Sequence, residues 1–355
     1  MLTDAERNRY SKQIILPEIG QEGQIRLQQA KVLVIGAGGL GCPILQYLTA
    51  AGVGTIGIAD GDTIQLSNLQ RQVLYNEQEI GLLKAEVAVK KLQLLNPNVQ
   101  FKLYPVFINS SNALDILREY DVVVDGSDNF DTRYLVNDAC VMLNKPMVFG
   151  AIYRFEGHVS VFNYNNGPTY RCVFPDVPGE GESPNCADIG VVATLPGIIG
   201  TMQANEAIKV ITGIGEVLSG RLLVIDTLTM NMHSFGFKLN EANKKITGLL
   251  GSDFSCKATF TDINYDQFLE MVKSSTSVQV VDVREAEEHE IGNIGGVNIP
   301  LSGFKTELHK IGIECAIILY CSSGVRSRHA AQMLVDKGYQ KVHNLKDGMN
   351  GVIVP

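Results

Sequence analysis

The chain has 355 residues, a net charge of −8 at pH 7 and a composition in which 45% of the residues are hydrophobic. This length favours two domains, and the acidic balance argues against a protein that binds nucleic acid. The N-terminus has no signal-peptide pattern, and no apolar run is as long as a membrane span, so we expect a cytoplasmic protein without a membrane partner. Seven scattered cysteines indicate buried or chemically used thiols rather than a disulfide framework.

Residues 31–41 combine an apolar strand with a glycine-rich turn and the start of a helix. The turn has the spacing G-x-G-x-x-G, with Gly36, Gly38 and Gly41. Gly36 permits the turn, Gly38 lets a phosphate approach the backbone, and Gly41 lets helix and strand pack closely. Because a helix N-terminus offers free N–H groups and a positive dipole end, the pattern predicts a phosphate site. Alone it does not say which nucleotide binds.

Strands and helices then alternate, which predicts a doubly wound sheet. Asp60 ends a buried strand, at the point where a dinucleotide fold places the acid that holds a ribose hydroxyl. Lys84 falls in the early turns of a helical pattern over 79–95, which is unfavourable for the helix dipole unless an anion lies nearby. Asp128 follows a strand over 121–125, at the edge where open α/β sheets bind ligands.

From residue 157 the pattern changes to further strands and a long loop, 165–190, that holds Cys172 and Cys186. A loop of that length is usually functional or mobile. A helix over 195–212 and two more strands follow. We therefore expect a Rossmann-like doubly wound sheet with additional antiparallel strands.

The polar stretch 243–257 is interpreted as a linker between a larger nucleotide-binding domain over 1–242 and a smaller α/β domain over 258–355. In the smaller domain a buried strand delivers Cys321 into a tight loop, and a helix starts directly after it. A helix N-terminus and the adjacent Arg326 both favour the charged form of a thiol, so the pattern indicates a reactive thiolate or persulfide.

Several separated motifs resemble the MoeB/ThiF family, bacterial relatives of the ubiquitin-activating enzymes. The matching segments are 9–16, 36–41, 60–62, 67–72, Lys84, 128–129 and 197–209. Residues 258–355 resemble a rhodanese domain, through Asp282-Val283-Arg284 and the loop 321–327. The fusion is similar to bifunctional enzymes that load sulfur onto ubiquitin-like carriers.

The resemblance implies ATP-dependent adenylation of the C-terminal glycine of a ubiquitin-like sulfur-carrier protein that ends in Gly-Gly. It assigns Asp60 to the ribose, Asp128 to Mg²⁺, and Asn68, Arg71 and Lys84 to the phosphates. The full set of expected ATP-binding residues is Gly36, Gly38, Gly39, Gly41, Asp60, Ser67, Asn68, Leu69, Gln70, Arg71, Lys84, Asp128, Asn129 and Lys12.

Sulfur transfer follows from the same resemblance. Cys321 would accept sulfane sulfur from a persulfide or thiosulfate donor and pass it to the acyl-adenylate, which gives a thiocarboxylate. Cys186 matches a family cysteine that can link covalently to the carrier. A homodimer is implied, because the N-terminal segment of one subunit completes the neighbour's ATP site. The cation involved is left open between Lys12, where the family often has arginine, and Arg9.

Many family members hold structural zinc with two Cys-x-x-Cys pairs. Here the first pair reads Thr169-Tyr170-Arg171-Cys172, and residues 244–251, where the second pair is expected, contain no cysteine. Cys172 and Cys256 cannot complete a tetrahedral site by themselves. We therefore predict no zinc.

Two other functions remain open at this point. The glycine turn and Asp60 suit NAD equally well, so an NAD-dependent oxidoreductase is the alternative enzyme, although hydride transfer needs neither Lys84 nor Asp128. A scaffold that binds a ubiquitin-like carrier without catalysis is the alternative outside enzymology, and the presence of Asp128 and Cys321 disfavours it. The carrier itself, whether for molybdopterin, thiazole or tRNA thiolation, is not specified.

Overall fold

A computed structural model describes residues 1–176, 190–249, 260–274, 278–312, 315–337, 339 and 341–351. The chain divides into two compact units, Met1–Asp253 and Phe254–Pro355. Across these described ranges, no helix is both long enough and apolar enough to cross a bilayer. The proposed linker 243–257 lies partly outside the described residues, and Cys186 and Cys256 lie wholly outside them, so the predictions for them stay predictions.

The first unit is built on an eight-stranded sheet in the order β3-β2-β1-β4-β5-β6-β7-β8. The strands from β3 to β5 are parallel, and β6 to β8 are added antiparallel. This confirms the predicted Rossmann-like doubly wound sheet with additional antiparallel strands. The strands are β1 (Lys31–Ile35), β2 (Thr55–Ala59), β3 (Gln100–Tyr104), β4 (Val122–Asp125), β5 (Met147–Tyr153), β6 (Glu156–Phe162), β7 (Arg221–Asp226) and β8 (Asn231–Gly236).

Helices cover both faces of this sheet. Successive side chains of a strand point to opposite faces, so Val32 and Leu33 of β1 belong to two different hydrophobic cores. Helices α4 and α8 contribute to the first core, and α6 and α7 contribute to the second. The helices of this unit are α1 (Asp4–Arg9), α2 (Ser11–Ile14), α3 (Gly20–Gln29), α4 (Gly41–Ala51), α5 (Lys84–Leu95), α6 (Ala113–Arg118), α7 (Phe130–Met142) and α8 (Leu195–Thr212).

The register of the central strands brings three chain segments together at the carboxyl edge. Ile35 at the end of β1 pairs with Ala59 at the end of β2 and with Asp125 at the end of β4. The glycine turn, Asp60 and the loop before α7 therefore start side by side. This edge, where the strand order reverses between β1 and β4, is where doubly wound folds bind their ligands.

One predicted helix boundary is wrong. The pattern over 79–95 is interrupted, because Glu77–Glu79 form a single 3₁₀ turn and Gly81 has a left-handed φ of 88°. The α-helix begins only at Lys84. This places Lys84 at the very first helical position, directly at the carboxyl edge of the sheet.

The second unit contains a five-stranded parallel sheet in the order β11-β10-β12-β13-β9. Its strands are β9 (Phe260–Ile263), β10 (Val278–Asp282), β11 (Val297–Asn298), β12 (Ala316–Tyr320) and β13 (Val342–Leu345). Its helices are α9 (Tyr265–Ser274), α10 (Ala286–Ile291), α11 (Phe304–Glu307) and α12 (Val325–Asp336). Both faces of β12 are buried, and this strand leads directly to Cys321.

Candidate active site

The glycine turn is fixed by close backbone contacts. Gly36 has a φ of 87°, and a Cβ atom there would lie 2.8 Å from the carbonyl oxygen of Gly126. A Cβ atom on Gly41 would lie 2.0 Å from the carbonyl oxygen of Gly36, so both positions require glycine. Gly38 and Gly39 remain partly exposed at the start of α4, and among the described residues no side chain caps this helix. Its first N–H groups are available to a phosphate.

Asp60 faces this turn rather than open solvent. Its side chain accepts hydrogen bonds from the backbone N–H of Ala37 and that of Asp62, each at 2.7 Å, and the residue is 8% exposed. Burial raises the pKa of Asp60, and the two backbone hydrogen bonds oppose that rise. The carboxylate thus holds the turn in shape, while the ribose contact expected of it stays a prediction.

Tyr75 links the turn to α5, and sequence reasoning missed it. Its hydroxyl lies 2.8 Å from the carbonyl oxygen of Ala37 and 3.2 Å from that of Lys84. Burial raises the pKa of Tyr75, so the hydroxyl stays protonated. A tyrosine between Leu74 and Asn76 gave no motif by which it could have been found.

Lys84 has the anionic neighbour that its position in the sequence called for. Its Nζ lies 3.0 Å from Asp62 Oδ2, and its backbone N–H donates to the Asp62 carbonyl at 2.9 Å. The lysine side chain is only 7% exposed, whereas that of Asp62 is 57% exposed. A buried ammonium at a helix N-terminus is unfavourable unless paired, so Asp62 stabilises it there.

The polar segment 67–72 lies over the glycine turn. Arg71 is half-buried, and its Cδ lies 3.7 Å from the position that a Cβ on Gly39 would occupy. Gln72 Nε2 lies 3.5 Å from the corresponding position on Gly38. Arg71 is oriented by a 3.1 Å hydrogen bond from its Nη1 to the Ser67 carbonyl. The structure therefore brings the predicted cation to the predicted phosphate turn.

The other members of this segment have local roles in the fold. Asn68 accepts a hydrogen bond from the backbone N–H of Gln65 at 3.2 Å, and Leu69 packs against the hydrophobic core. Ser67 and Gln70 are exposed. These contacts shape the segment, and direct contacts of these four residues with ATP stay a prediction.

Asp128 lies in a short loop that several hydrogen bonds hold. The loop starts at Asp125, which accepts from the Ser127 backbone N–H at 3.0 Å, and it ends at Asn129, which caps α7 by accepting from the Thr132 N–H at 2.9 Å. Asp128 is exposed between these two anchors. An exposed carboxylate is a hard oxygen ligand of the kind that Mg²⁺ prefers, so the residue fits the predicted role.

Arg133 supports this loop from within the core, and no sequence motif pointed to it. Its Nη2 donates to the Ser127 carbonyl at 3.1 Å, and its Nε lies 3.5 Å from Asp125 Oδ2. That Nε contact is an ion pair without a hydrogen bond. Burial raises the pKa of Asp125, and the guanidinium charge of Arg133 opposes this rise. The guanidinium also lies 5.0 Å from the ring centroid of Phe149.

Lys12 and Arg9 lie away from this site. Arg9 donates to the carbonyl of Leu95, the last residue of α5, at 3.1 Å. Lys84 is the first residue of that helix, about 16 Å away at the usual rise per residue. Lys12 lies one turn further along the chain and is exposed. A trans role for either residue is compatible with this placement.

Cys321 occupies the second candidate site, in the loop between β12 and α12. Its thiol is buried, and Ser327 Oγ lies 3.5 Å from its Sγ. Helix α12 starts at Val325, and no side chain of the described residues caps it. The strand, loop and helix are arranged as expected, with Cys321 at the end of β12 and the start of α12 four residues later.

Arg326 is engaged by a residue that the sequence did not single out. Its Nη1 and Nη2 each donate to Glu288 at 2.7 Å, and Ser322 Oγ donates to the same carboxylate at 3.0 Å. These hydrogen bonds, the Arg326 contribution foremost, lower the pKa of Glu288 to about 2. Arg326 is therefore part of an ion pair and not a separate charge beside the thiol.

Cys172 accepts hydrogen bonds from two chain segments. Its Sγ lies 3.4 Å from the backbone nitrogens of Thr169 and Asn240, 3.5 Å from Thr169 Oγ1 and 3.6 Å from Asn243 Nδ2. Burial acts to raise the pKa of Cys172, but the hydrogen bonds outweigh it and lower the pKa. We call Thr169, Cys172, Asn240 and Asn243 the thiol clasp.

The thiol clasp includes two residues that lie just before the stretch 244–251. Asn240 and Asn243 approach Cys172 because the chain returns to it soon after β8 ends, and the expected position of the second Cys-x-x-Cys pair stays a prediction. One thiol, one hydroxyl and two amides do not match the thiolate and imidazole ligands of structural zinc. Within the described ranges, no three histidine, cysteine or acidic side chains group as metal ligands. The residues do not fit the metal, and its absence stays a prediction.

The two sites together define the class of protein: a nucleotidyltransferase of doubly wound fold followed by a sulfurtransferase domain. The chain belongs to the ThiF family, which it matches over residues 10–247, and it carries a rhodanese-like domain over residues 264–353. Both predicted resemblances are thereby confirmed.

Named relatives agree with this assignment. The chain is 53% identical over 243 residues to a sulfur carrier protein adenylyltransferase of Thermus thermophilus, which covers 67% of this chain and 90% of the relative. It is 40% identical over 365 residues to the probable adenylyltransferase/sulfurtransferase MoeZ of Mycobacterium tuberculosis. This match covers 98% of this chain and 93% of the relative. A crystal structure of E. coli MccB with ATP matches with a TM-score of 0.55 and 25% identity, over 62% of this chain and 67% of that one.

Proposed function

We propose that the chain adenylates the C-terminal glycine of a ubiquitin-like sulfur-carrier protein and then delivers sulfur to it through Cys321. One observation carries the adenylation half: the glycine turn, the Lys84–Asp62 pair and the Asp128 loop lie at one edge of the sheet. The name of the T. thermophilus relative supports a sulfur carrier as the substrate.

In the proposed first step, a carboxylate oxygen of the carrier attacks the α-phosphorus of ATP. A new P–O bond forms, the bond to the β-phosphate oxygen breaks, and pyrophosphate leaves. The chemistry consists of positioning and charge neutralisation. The N–H groups at Gly38 and Gly39 and the side chains of Asn68, Arg71 and Lys84 are the proposed phosphate contacts, and Asp60 is the proposed ribose contact.

Asp128 is the proposed ligand of Mg²⁺, which would neutralise phosphate charge. Its exposed carboxylate sits in a loop that Asp125 and Arg133 hold in place. Asn129 supports the same loop as the cap of α7.

In the proposed second step, Cys321 carries sulfane sulfur taken from a persulfide or thiosulfate donor. The outer sulfur attacks the carbonyl of the acyl-adenylate and AMP leaves, which joins the carrier to Cys321 through an acyl disulfide. Attack by a further thiol on the Cys321 sulfur frees the carrier as a thiocarboxylate. Cys186 is the proposed covalent link to the carrier during this transfer.

A cytoplasmic homodimer is the proposed assembly, with Lys12 or Arg9 completing the neighbour's ATP site. Exposed apolar side chains beside Lys12 support this proposal, because Ile15 is 74% exposed and Tyr47 is 54% exposed. Gln13 and Tyr47 line a cavity of about 290 Å³ with residues of α8. Apolar exposure of this kind is typical of protein interfaces.

Exchange of pyrophosphate into ATP tests the first step. We expect exchange to require a carrier that ends in Gly-Gly and to stop when the last glycine is removed. Asp128→Ala should abolish exchange, and Cys321→Ala should leave it intact. Carrier-independent reduction of NAD, with no exchange, would instead favour the oxidoreductase alternative.

A further inference from the structure

The carboxylate of Glu288 lies against the Cys321 loop, because it accepts hydrogen bonds from Ser322 and Arg326. Arg326 is the cation of this loop, and a guanidinium is well suited to bind an oxyanion. Both Nη atoms of Arg326 already donate to Glu288 at 2.7 Å, and Ser322 adds a third hydrogen bond to the same carboxylate. The loop cation is thereby neutralised inside the domain.

The other arginines of the second unit are paired in the same way. Arg284 donates to Asp282 from Nη2 at 2.6 Å, and both residues are buried. Arg328 forms an ion pair with Asp262. All three arginines in the described part of this unit therefore lie against a carboxylate, which offsets part of their attraction for a small oxyanion.

The start of α12 is a further positive feature of this loop. Helix α12 begins at Val325 with no side-chain cap from the described residues, and its dipole is equivalent to about half a unit charge. This dipole offsets part of the single negative charge of a persulfide. Thiosulfate carries two negative charges and would place them near Glu288. Val325, 49% exposed at the rim of the loop, adds an apolar contact that does not favour a hydrated dianion.

We propose that Glu288 is a specificity-determining residue that makes this domain prefer a monoanionic persulfide donor to thiosulfate. The inference rests on the sulfur-transfer role proposed above. In the favoured step, the Cys321 thiolate attacks the outer sulfur of R–S–S⁻. A new S–S bond forms at Cys321, the S–S bond of the donor breaks, and R–S⁻ leaves with the electron pair. With thiosulfate the leaving group is sulfite. Sulfite carries two negative charges, and it must leave past the negatively charged carboxylate of Glu288.

Persulfidation of Cys321 in the full chain tests this preference, with cysteine persulfide and thiosulfate as the two probes and mass spectrometry of the alkylated protein as the readout. Glu288→Gln removes the charge but keeps an acceptor for Arg326, and we expect the thiosulfate rate constant to rise about tenfold. The rate constant with cysteine persulfide should change by less than about twofold. Glu287→Gln, the same substitution at the adjacent exposed residue, should alter neither rate.

An equal change for both donors, or no gain with thiosulfate, would overturn the inference. The double variant E288Q/R326Q serves if the single variant does not fold, because it removes the ion pair as a unit. Its thiosulfate rate should stay within about threefold of wild type. A larger loss would show that Arg326 binds the dianion, against the inference. If neither donor modifies Cys321 in the wild type, the proposed sulfur-transfer role is itself wrong and the inference falls with it.

Discussion

Arg133 donates from its Nη2 to the backbone carbonyl of Ser127 at 3.1 Å, from within the core of the first unit. The acceptor, Ser127, directly precedes Asp128, the proposed metal ligand. Because the same guanidinium faces the fully buried Asp125, the loop has a charged anchor beneath it. The buried pair therefore positions the exposed carboxylate of the candidate site.

Removal of this anchor should affect both stability and adenylation. Arg133→Met leaves Asp125 buried without its cation, which typically costs about 3–5 kcal/mol of unfolding free energy. We expect pyrophosphate exchange to fall as well, since Asp128 loses its support. Urea denaturation and exchange assays measure the two effects.

Arg118→Met provides the matched control. The ion pair of Arg118 with Asp115 is exposed, with a 3.5 Å separation, and such pairs contribute about 0–1 kcal/mol. This variant should unfold almost like the wild type and keep its exchange activity. Equal costs for the two substitutions would contradict the anchoring role of Arg133.

Mixing of two inactive variants tests the proposed homodimer. Lys12→Ala should lack the trans cation, and Asp128→Ala should lack the metal ligand, so each homodimer is impaired. A mixed dimer has one complete site, and random 1:1 exchange of subunits restores about a quarter of the sites. Arg9→Ala in place of Lys12→Ala identifies which cation acts. If native mass spectrometry detects the mixed dimers and neither mixture recovers exchange, a trans role is excluded.

The thiol clasp predicts a gain of metal on substitution. The four positions surround one sulfur, so the triple variant T169C/N240C/N243C should bind one zinc ion per chain and melt at a higher temperature. The same triple variant with Cys172→Ser should bind zinc more weakly. Elemental analysis measures the metal. Stoichiometric zinc in the wild type, or melting that drops with a chelator, would contradict the predicted absence of zinc.

The Glu288–Arg326 pair predicts a pH dependence of stability in the second unit. The pKa of Glu288 is lowered from 4.5 to about 2, so the folded state favours its charged form. The stabilisation is complete above the ordinary pKa and is lost as the pH falls toward the folded-state value. The difference in unfolding free energy between wild type and Glu288→Gln should therefore be constant above pH 4.5 and shrink between 4.5 and about 2. A matching dependence in Glu287→Gln would contradict this assignment.

The fold was predictable because its signals are local and periodic. The apolar run of β1 before its glycine turn predicted a buried strand, and so did the apolar run before Cys321. The structure has a strand at both places. The predicted start of α5 was wrong because a single left-handed residue, Gly81, interrupts an otherwise helical pattern. Hydrophobic periodicity does not report such a break.

The supporting residues of the site were less accessible. Arg71, Lys84 and Asp128 stood out through charge at unusual positions, whereas Tyr75, Arg133 and Glu288 act through partners that are distant in sequence or lack a motif. Glu288 reaches Arg326 across 38 positions of the chain, and such pairing depends on sheet order. Sequence motifs therefore identified the residues expected to contact a ligand. They did not identify the residues that hold those ligand-binding residues in position.

The intact mass of the carrier after incubation with the enzyme, ATP and cysteine persulfide tests the central claim most directly. Wild-type enzyme should exchange one oxygen of the carrier C-terminus for sulfur. Cys321→Ala should yield the carrier adenylate without the thiocarboxylate, and Asp128→Ala should leave the carrier unmodified. A thiocarboxylate formed by Cys321→Ala at the wild-type rate would contradict the account.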